Sequence, residues 1–395
     1  MKSHSRPPVG VVGAGAMGSG IALVAASAGH EVRLADVDAS AVARARDAMR
    51  QTLARDVAKG RVNQDVADAT LARVTGAGVS AADIDAFADC GVVIEAVLED
   101  LATKQDLFAA FERVVRDECI LATNTSSLSI AAIAGRCRRP DRVVGVHFFN
   151  PAPVMPLVEI VPGIATDADV TARARALIDG WGKLTVLASD TPGFIVNRVA
   201  RPYYGESLRL LEEGVADAST IDWAMRELGS FRMGPFELMD FIGNDVNYAV
   251  TRSVYEGFYQ DPRYRPAITQ RRLVEAGMYG RKRERGYFDY RPGATKPEPV
   301  KDDVLGRAML DRVVAMLVNE AVEAVHLRVA SAHDIETAMT KGVNYPRGLL
   351  AWGDQIGAAT VLARLEALQS EYGEDRYRPS PLLRRRVRAG EPLLA

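Results

Sequence analysis

The sequence has few cysteines and no long apolar segment. Its three cysteines are Cys90, Cys119 and Cys137, and their spacing matches no metal-ligand pattern. They are too few for the disulfide framework of a secreted protein, so we expect reduced thiols, no metal site and a cytoplasmic location. No apolar run approaches the roughly 18 residues that a membrane span requires. The short polar start, Met1 to Pro8, lacks the apolar core of a signal peptide.

The sequence also lacks an excess of charge of either sign. It has 49 Lys and Arg residues against 51 Asp and Glu residues, which gives a formal net charge of −2. Such a chain has no overall attraction to nucleic acid or to a membrane surface. With 48% hydrophobic residues among 395, it can build a sizeable core in two or three domains. We therefore expect a globular protein whose partner is a small molecule.

What the sequence does contain, near its N-terminus, is a glycine-rich turn. An apolar run that predicts a strand, Val9 to Val12, leads into it, and an Ala-rich helical segment follows to about Gly29. A second predicted strand then ends in an acid, Asp36. Strand, turn, helix, strand and acid in this order are typical of a dinucleotide-binding unit. The turn consists of Gly13-Ala14-Gly15-Ala16-Met17-Gly18.

The chemistry of a dinucleotide explains these residues. Gly13 permits a tight turn, Gly15 lets a pyrophosphate approach the backbone, and Gly18 lets the helix pack closely on the sheet. The helix N-terminus offers N–H groups and a partial positive charge to the phosphates. Asp36 can accept hydrogen bonds from both ribose hydroxyls and would repel a 2′-phosphate, so the pattern predicts NAD rather than NADP.

Predicted strands continue to alternate with predicted helices in the first half of the chain. This alternation predicts an α/β domain of the Rossmann type over residues 1–188, with a parallel, doubly wound sheet. Ligands bind at the carboxyl ends of the strands in such sheets. One strand is expected over Val143 to Val146, with His147 directly after it. The polar residues expected at this edge are Asp36, Glu99, Asn124, Ser126, His147 and Asn150.

The second half contains an internal repeat within segments of helical spacing. It predicts two related all-α domains, residues 189–290 and 304–395. The copies are not equivalent, because Asn197 of the first is replaced by Asp311 in the second. The residues that recur at an offset of 114 positions include Arg198 and Arg312, Glu206 and Glu320, Ile221 and Ile335, Met225 and Met339, Gly234 and Gly348, and Asp240 and Asp354.

Several motifs resemble those of the 3-hydroxyacyl-CoA dehydrogenase family. They occur in that family's order and spacing, and the likeness extends over nearly the whole chain. The tandem helical tail is similar to that of bacterial members that act on 3-hydroxyadipyl-CoA in phenylacetate breakdown. The motifs are Gly13 to Gly18, Asn124-Thr125-Ser126-Ser127-Leu128, His147-Phe148-Phe149-Asn150-Pro151, Leu157-Val158-Glu159, Asp190-Thr191-Pro192-Gly193-Phe194 with Asn197-Arg198, and Met233-Gly234-Pro235-Phe236-Glu237-Leu238.

The resemblance implies a role for each matching residue. His147 would be the catalytic base and Glu159 its carboxylate partner, at a distance that we expect the intervening Pro-rich loop to set. Ser126 and Asn197 would hold the reacting oxygens. Around Lys282 the chain departs from the family's Lys-Thr-Gly-x-Gly. The implied cofactor contacts are Gly13, Gly15, Ala16, Met17, Gly18, Asp36, Glu99, Lys104, Ser126, Asn150 and Lys282, and the implied coenzyme A contacts are Thr52, Lys59 and Ser126.

The reaction expected from these residues is NAD-dependent oxidation of an (S)-3-hydroxyacyl-CoA to the 3-oxoacyl-CoA. The substrate could be 3-hydroxyadipyl-CoA, or 3-hydroxybutyryl-CoA and the intermediates of fatty acid β-oxidation. Two alternatives remain open at this stage: a dehydrogenase of free hydroxy or sugar acids on the same scaffold, and an NAD-binding protein without catalysis. We expect the second helical domain to take the place of a dimer partner, with further homodimerisation still possible.

Overall fold

The computed structural model describes residues 6–78 and 83–394 of the chain. Most of the N-terminal segment that argues against a signal peptide lies outside these residues. The chain forms two compact units, residues 1–190 and 191–395. None of the helices that the structure describes combines the length and apolar character needed to cross a bilayer. The three cysteines carry free thiols.

The first unit is built on one eight-stranded sheet with the strand order β3-β2-β1-β4-β5-β6-β7-β8. Strands β1 to β6 are parallel, whereas β7 runs antiparallel to β6 and β8 runs parallel to β7. The predicted doubly wound α/β domain is thus confirmed, with two reversed strands, β7 and β8, that the alternation of elements did not predict. The strands are β1 Val9–Val12, β2 Val32–Ala35, β3 Val74–Ala77, β4 Val92–Glu95, β5 Ile120–Thr123, β6 Val143–Phe148, β7 Leu157–Pro162 and β8 Leu184–Leu187.

Short buried strands and capped helices explain why this part of the sequence folds in this way. The central strands β1, β4 and β5 are buried along their whole length, as expected for parallel strands covered on both faces. Asp38, Asn63 and Asp100 each accept a backbone N–H at the start of a helix. The helices are α1 Ala16–Ser27, α2 Ala39–Ala58, α3 Gln64–Ala72, α4 Leu101–Phe111, α5 Ile130–Ala134 and α6 Ala168–Asp179.

One strand boundary differs from the prediction in a way that concerns the site. Strand β6 extends to Phe148, so His147 lies inside the strand and not directly after it. The reason is the antiparallel partner β7, whose pairing with β6 includes His147 opposite Glu159 and Phe148 opposite Val158. An apolar run alone does not reveal this pairing, because the partner strand begins beyond a Pro-rich loop.

The second unit is helical, and its two halves contain the same order of elements. The π-helical segments Ala224–Leu228 and Ala338–Gly342 lie 114 positions apart. The glycines that end α10 and α15, Gly243 and Gly357, both have a positive φ, 104° and 94°. The helices are α7 Val196–Val199, α8 Arg201–Glu212, α9 Ala218–Trp223, α10 Pro235–Ile242, α11 Asn244–Gly257, α12 Ile268–Glu275, α13 Asp303–His326, α14 Ala332–Thr337, α15 Leu349–Ile356, α16 Ala358–Tyr372 and α17 Pro381–Ala389.

Two buried ion pairs join the halves of the helical unit reciprocally. Arg198 of the first half donates to Glu320 of the second at 2.6 Å, and Arg312 of the second donates to Glu206 of the first at 3.0 Å. All four side chains are buried. Because a buried charge is costly unless it is paired, each half depends on the other for the neutralisation of its core charges.

Candidate active site

The glycine-rich turn has the close approaches that its residues predict. Gly13 has a φ of +99°, and a Cβ at that position would lie 2.4 Å from the carbonyl oxygen of Ala96. A Cβ on Gly18 would lie 1.7 Å from the carbonyl oxygen of Gly13, so only glycine lets α1 approach the turn this closely. A Cβ on Gly15 would meet no atom within 4 Å. The turn therefore leaves room at Gly15, where a pyrophosphate must approach.

The surroundings of this turn fit a dinucleotide. Helix α1 begins after Gly15 without a side-chain cap and without an acid in its first turn, so its leading N–H groups remain available to phosphate. Asp36, at the end of β2, accepts the N–H of Ala14 at 2.7 Å and that of Asp38 at 3.0 Å. A carboxylate has about four acceptor positions, so Asp36 can still accept hydrogen bonds from ribose hydroxyls.

His147 and Glu159 form a buried pair fixed by the sheet. They face each other across β6 and β7, and His147 Nδ1 lies 2.6 Å from Glu159 Oε2. The two side chains are 3% and 0% exposed. The antiparallel pairing of β6 with β7, which the Pro-rich loop connects, places the two residues opposite each other.

The pairing with Glu159 determines which nitrogen of His147 can act as a base. An ionised carboxylate only accepts hydrogen bonds, so Nδ1 carries the proton and the neutral ring presents Nε2 as an acceptor. Nε2 lies 3.1 Å from Oγ of Ser126, which follows β5. Phe149 packs against the imidazole with its ring centroid 4.6 Å away. The ring is thus held in one orientation, with its basic nitrogen directed toward Ser126.

Glu99 organises the loop that carries Ser126. It accepts the N–H groups of Ser126 and Ser127, both at 3.0 Å, and the hydroxyl of Thr125 at 2.6 Å. Burial would raise the pKa of Glu99, but the Lys104 ammonium and these hydrogen bonds outweigh it and lower the pKa. The carboxylate is therefore ionised at neutral pH and holds the loop through charge-assisted hydrogen bonds.

Lys104 lies in the interior of the first unit. Its side chain is 1% exposed, and its Nζ lies 2.6 Å from Glu95 and 3.2 Å from Glu99. Glu95 is a site residue that the sequence analysis did not single out, although an acid at the end of a buried strand is itself a signal. It also accepts the hydroxyl of Thr123 at 2.7 Å. Lys104 thus holds Glu99 from the interior of the unit, and Glu95 in turn holds Lys104.

The remaining candidates in the first unit lie on its surface. Asn150 is exposed two residues after the end of β6. Thr52 and Lys59 lie seven positions apart, Thr52 on α2 and Lys59 at its C-terminal cap, which puts them on one side of that helix. Thr52 is half-buried and donates to the carbonyl oxygen of Ala48, whereas Lys59 is exposed.

The candidates in the helical unit are Asn197 and Lys282. Asn197 is half-buried on α7. Lys282 is exposed and forms an ion pair with Asp245 at 2.6 Å. Glu284, which replaces a glycine of the family's pattern near Lys282, adopts a left-handed conformation with a φ of 56°. The segment thus keeps the backbone geometry that glycine adopts most easily, at a position where a glutamate is strained.

Comparison with known proteins now identifies the family. A model of the 3-hydroxyacyl-CoA dehydrogenase NAD-binding domain matches residues 8–191, and one of the C-terminal domain of the same family matches residues 193–290 and 309–393. The chain belongs to the 3-hydroxyacyl-CoA dehydrogenase family. Its NAD-binding domain is therefore followed by helical sequence of the family's C-terminal type.

Individual relatives agree with this assignment. The chain is 40% identical to the 3-hydroxyadipyl-CoA dehydrogenase of Escherichia coli K12, over 96% of this chain and 97% of that one. It is 41% identical to the 3-hydroxybutyryl-CoA dehydrogenase of Bradyrhizobium diazoefficiens, over 74% and 98%. A crystal structure of 3-hydroxybutyryl-CoA dehydrogenase from Escherichia coli superimposes with a TM-score of 0.90 at 39% identity, over 97% and 98%.

Members of this family are NAD-dependent oxidoreductases, and so is this chain. The predictions of a Rossmann-type first domain, of NAD as the cofactor and of 3-hydroxyacyl-CoA oxidation are confirmed. Of the three hypotheses that the sequence left open, membership favours the acyl-CoA dehydrogenase over the free-acid dehydrogenase and the non-catalytic NAD-binding protein. The roles of single residues remain predictions.

Proposed function

We propose that the chain oxidises the 3-hydroxyl group of 3-hydroxyadipyl-CoA, with His147 as the base and Glu159 as its charge partner. The observation that carries the proposal is the geometry of the buried pair: Nδ1 of His147 faces the Glu159 carboxylate at 2.6 Å, and Nε2 faces Ser126 at 3.1 Å. Bound NAD supplies the hydride acceptor. The alcohol proton moves to Nε2 of His147, because this nitrogen is the one that the pairing with Glu159 leaves as an acceptor.

The Glu159 carboxylate stabilises the charge that this transfer creates. Once Nε2 is protonated, the imidazolium sits in a buried site next to a negative charge, where the attraction is much stronger than in water. Glu159 also keeps the ring in the tautomer with a basic Nε2. The pair works as one proton-handling unit, and a substitution at either residue is expected to impair the same step.

Ser126 and Asn197 would hold the oxygens of the substrate. The Ser126 hydroxyl can donate to the forming 3-oxo oxygen while His147 takes the proton, and the Asn197 amide can donate to the thioester carbonyl or to the 3-oxo oxygen. Donors in fixed positions stabilise charge that changes during the reaction. Lys104 and Glu99 act as positioning residues, because Lys104 holds Glu99 and Glu99 holds the backbone of Ser126.

The cofactor and coenzyme A would be held by the residues that the sequence predicts for them. Asp36 would bind the adenosine ribose. Lys282 would also contact the cofactor, provided that its ion pair with Asp245 opens or is shared with the cofactor. Thr52 and Lys59 would meet coenzyme A, with Lys59 opposite a phosphate. The nicotinamide end would meet Asn150 and the Glu99–Lys104 pair, and the phosphates would meet the turn formed by Gly13, Gly15, Ala16, Met17 and Gly18.

The choice of 3-hydroxyadipyl-CoA as the substrate rests on how much of this chain each relative matches. The Escherichia coli relative of that name matches 96% of this chain, whereas the Bradyrhizobium 3-hydroxybutyryl-CoA dehydrogenase matches 74%. The second candidate is 3-hydroxybutyryl-CoA, since the solved structure that covers 97% of this chain bears that name. A role in phenylacetate breakdown belongs to the first candidate, and a role in fatty acid β-oxidation to the second.

We also propose that the second half of the helical unit takes the place of a dimer partner. A two-fold interface has reciprocal contacts, in which residue i meets j and j meets i. The pairs Arg198–Glu320 and Arg312–Glu206 have this form within one chain. The division at residues 290 and 304, further homodimerisation and a cytoplasmic location remain part of the proposal. The free thiols support the last of these.

The experiment that tests the proposed base is His147→Gln. We expect turnover of 3-hydroxyadipyl-CoA to fall about 10²–10⁴-fold, as for other general bases, with little change in NAD affinity. NADH absorbance reports turnover, and fluorescence titration with NADH reports cofactor binding. If cofactor binding fell in parallel, the residue would serve the fold and not the proton transfer.

A second experiment tests recognition of coenzyme A. Lys59→Ala should raise KM for acyl-CoA substrates about tenfold and leave kcat largely unchanged, because a phosphate contact is equally strong in the ground and transition states. Activity on a free 3-hydroxy acid should not respond to the substitution. Wild-type enzyme that oxidised free acids as well as their thioesters would contradict the acyl-CoA assignment.

A further inference from the structure

Arg201, the first residue of α8, is a buried cation without a carboxylate. Its side chain is 6% exposed, yet no ion pair involving Arg201 is found among the residues that the structure describes. Its hydrogen bond runs from Nη1 to the hydroxyl of Thr251 at 3.1 Å, and its guanidinium lies over the Tyr204 ring at 4.7 Å. The Nε atom is buried without an acceptor.

The other arginines buried in the helical unit differ from Arg201. Arg198 is paired with Glu320, Arg312 with Glu206, and Arg376 with Glu206. The Glu320 carboxylate raises the pKa of Arg198 against the opposing effect of burial, whereas burial lowers the pKa of Arg201. A desolvated guanidinium with unsatisfied N–H groups is costly to the fold, and such groups are concentrated at functional sites.

A second buried donor near Arg201 also lacks an acceptor. The hydroxyl of Tyr345 is buried and has no hydrogen-bond partner in the described structure. Burial raises the pKa of Tyr345 and the Arg201 guanidinium lowers it, so the two groups interact electrostatically. A carboxylate is an acceptor for both kinds of donor and carries the charge that Arg201 lacks. The Arg201 guanidinium and the Tyr345 hydroxyl are thus suited to bind one carboxylate together.

The helix face that carries Arg201 leads from the proposed oxygen-binding residue to open space. Asn197 lies on α7, and Arg201 and Gly205 lie one turn apart on α8. Because Ala200 between the two helices also has right-handed helical backbone angles, the three positions follow one another at helical spacing, about 6 Å per step. A Cβ added to Gly205 would meet nothing within 4 Å. In a 3-hydroxyadipyl chain the terminal carboxylate lies three carbon–carbon bonds beyond the reacting carbon. The spacing between Asn197 and Arg201 is therefore comparable to the length of this part of the acyl chain.

The second half of the helical unit shows that this face is not needed for the fold. At the offset of 114, the positions of Asn197, Arg201 and Gly205 hold other residues, Asp311, Ala315 and Asn319. Asn319 fills its position with hydrogen bonds to the backbone of Arg378 and Ser380. The two copies thus fold with different residues along this face. Arg201 occurs in the copy that also carries Asn197, and alanine takes its position in the other.

We propose that Arg201 binds the terminal carboxylate of a dicarboxylic 3-hydroxyacyl-CoA, with the Tyr345 hydroxyl as a second donor. This inference rests on the proposed function and specifies its substrate class. Arg201 would act as a specificity-determining residue, because a neutral acyl chain of equal length leaves its N–H groups unsatisfied. A site built to pair such groups rejects the analogue that lacks the partner.

The test compares three substrates in wild-type enzyme, R201M and R201K. The substrates are 3-hydroxyadipyl-CoA, its neutral counterpart of equal length 3-hydroxyhexanoyl-CoA, and 3-hydroxybutyryl-CoA. In R201M we expect kcat/KM for 3-hydroxyadipyl-CoA to fall roughly tenfold to a hundredfold relative to 3-hydroxybutyryl-CoA, which corresponds to losing a hydrogen bond to a charged group. Activity on 3-hydroxyhexanoyl-CoA should rise, and R201K should retain part of the preference for the dicarboxylate.

The outcomes separate this inference from the proposed function. Wild-type enzyme that turns over the acyl-CoA substrates without preferring 3-hydroxyadipyl-CoA to 3-hydroxyhexanoyl-CoA would overturn the role of Arg201 and leave the dehydrogenase assignment standing. Equal losses on all three substrates in R201M, with a lowered thermal midpoint, would make Arg201 a structural residue. No turnover of any of the three by wild-type enzyme would refute the proposed function itself, and this inference with it.

Discussion

The two halves of the helical unit have kept one set of residues and changed another. Both halves contain the arginine and glutamate that pair across them, and both contain a π-helical segment followed by a helix ending in glycine with positive φ. They differ along the face of Asn197, Arg201 and Gly205. Residues that neutralise buried charge in the partner half therefore occur in both copies, whereas the residues proposed to face a ligand occur in one.

The difference between the two halves separates the residues that stabilise the fold from the residues proposed to act in catalysis. In the first half, α7 and α8 carry both the reciprocal ion pairs and the proposed ligand-binding face. In the second half, the corresponding helix α13 is one continuous, largely buried element of 24 residues. Most of its positions are buried and serve packing. The second half is thus the internal control for the first, and paired substitutions at equivalent positions test the comparison directly.

The largest effect is expected from the reciprocal ion pairs. Glu320→Gln should lower the free energy of unfolding of the helical unit by about 3–5 kcal/mol, since it leaves the buried Arg198 without a carboxylate. Glu206→Gln should cost less, because Arg312 keeps its ion pair with Glu213 at 2.7 Å. Urea unfolding followed by tryptophan fluorescence measures both.

Two of the three tryptophans, Trp223 and Trp352, lie in the helical unit and report its unfolding. Arg209→Gln is a suitable control, because this half-buried arginine on α8 contributes only a 3.7 Å ion pair to Glu206. If Glu320→Gln were no more destabilising than Arg209→Gln, the halves would not depend on each other for charge neutralisation, and the substitute-partner proposal would fail.

A smaller effect, on activity, is expected at the first changed position of the face. Asn197→Ala should lower kcat about 10²-fold, as the loss of one oxygen-holding donor does in other enzymes. Asp311→Ala at the equivalent position should change kcat less than twofold. Asp311 forms a half-exposed ion pair with Arg364, so its removal should affect stability by at most about 1 kcal/mol.

Steady-state kinetics on 3-hydroxybutyryl-CoA, which lacks a second carboxylate, keep this measurement independent of Arg201. A fall in kcat for Asp311→Ala that matched the fall for Asn197→Ala would mean that the second half has retained a part in the chemistry.

Much of the first unit could be predicted from the sequence, because local signals determine it. The bounds of β1 are those of the apolar run, and the glycines of the turn have the close contacts that their spacing indicates. The register of His147 against Glu159 could not be predicted, since it depends on a strand that reverses direction. A residue pattern predicts that both are polar and near a strand, but not that they are opposite one another.

Arg201 illustrates a further limit of prediction from sequence. In the run Arg201-Pro202-Tyr203-Tyr204 a charged residue at a helix start suggests a solvated position, and many arginines in this chain are in fact exposed. Only the fold shows that Arg201 is buried next to Thr251, fifty positions further along the chain, and that no carboxylate among the described residues pairs with it. Burial and pairing of a charge are properties of long-range contacts, so they become visible only with the structure.

The smallest effect concerns two acids at equivalent positions, the buried Asp222 and the half-buried Glu336. Asp222 accepts the N–H groups of Phe236 and Glu237 at the start of α10, and Glu336 accepts those of Leu350 and Ala351 at the start of α15. Burial raises the pKa of Asp222 from 3.8 to about 7, against the effect of these hydrogen bonds. Burial also raises the pKa of Glu336.

A raised pKa of an acid means that the folded state holds a proton that the unfolded state has lost. The free energy of unfolding should therefore fall as the pH rises from about 4 to about 7, and the fall should be complete above the folded pKa. Relative to Asp222→Asn, which does not titrate, wild-type protein should lose about 1 kcal/mol between pH 6 and pH 8. Glu336→Gln should flatten the profile in the same direction. Urea midpoints at pH 5, 6, 7 and 8 measure both differences, and a profile for Asp222→Asn parallel to that of wild type would show that Asp222 is already ionised in the folded protein at pH 5.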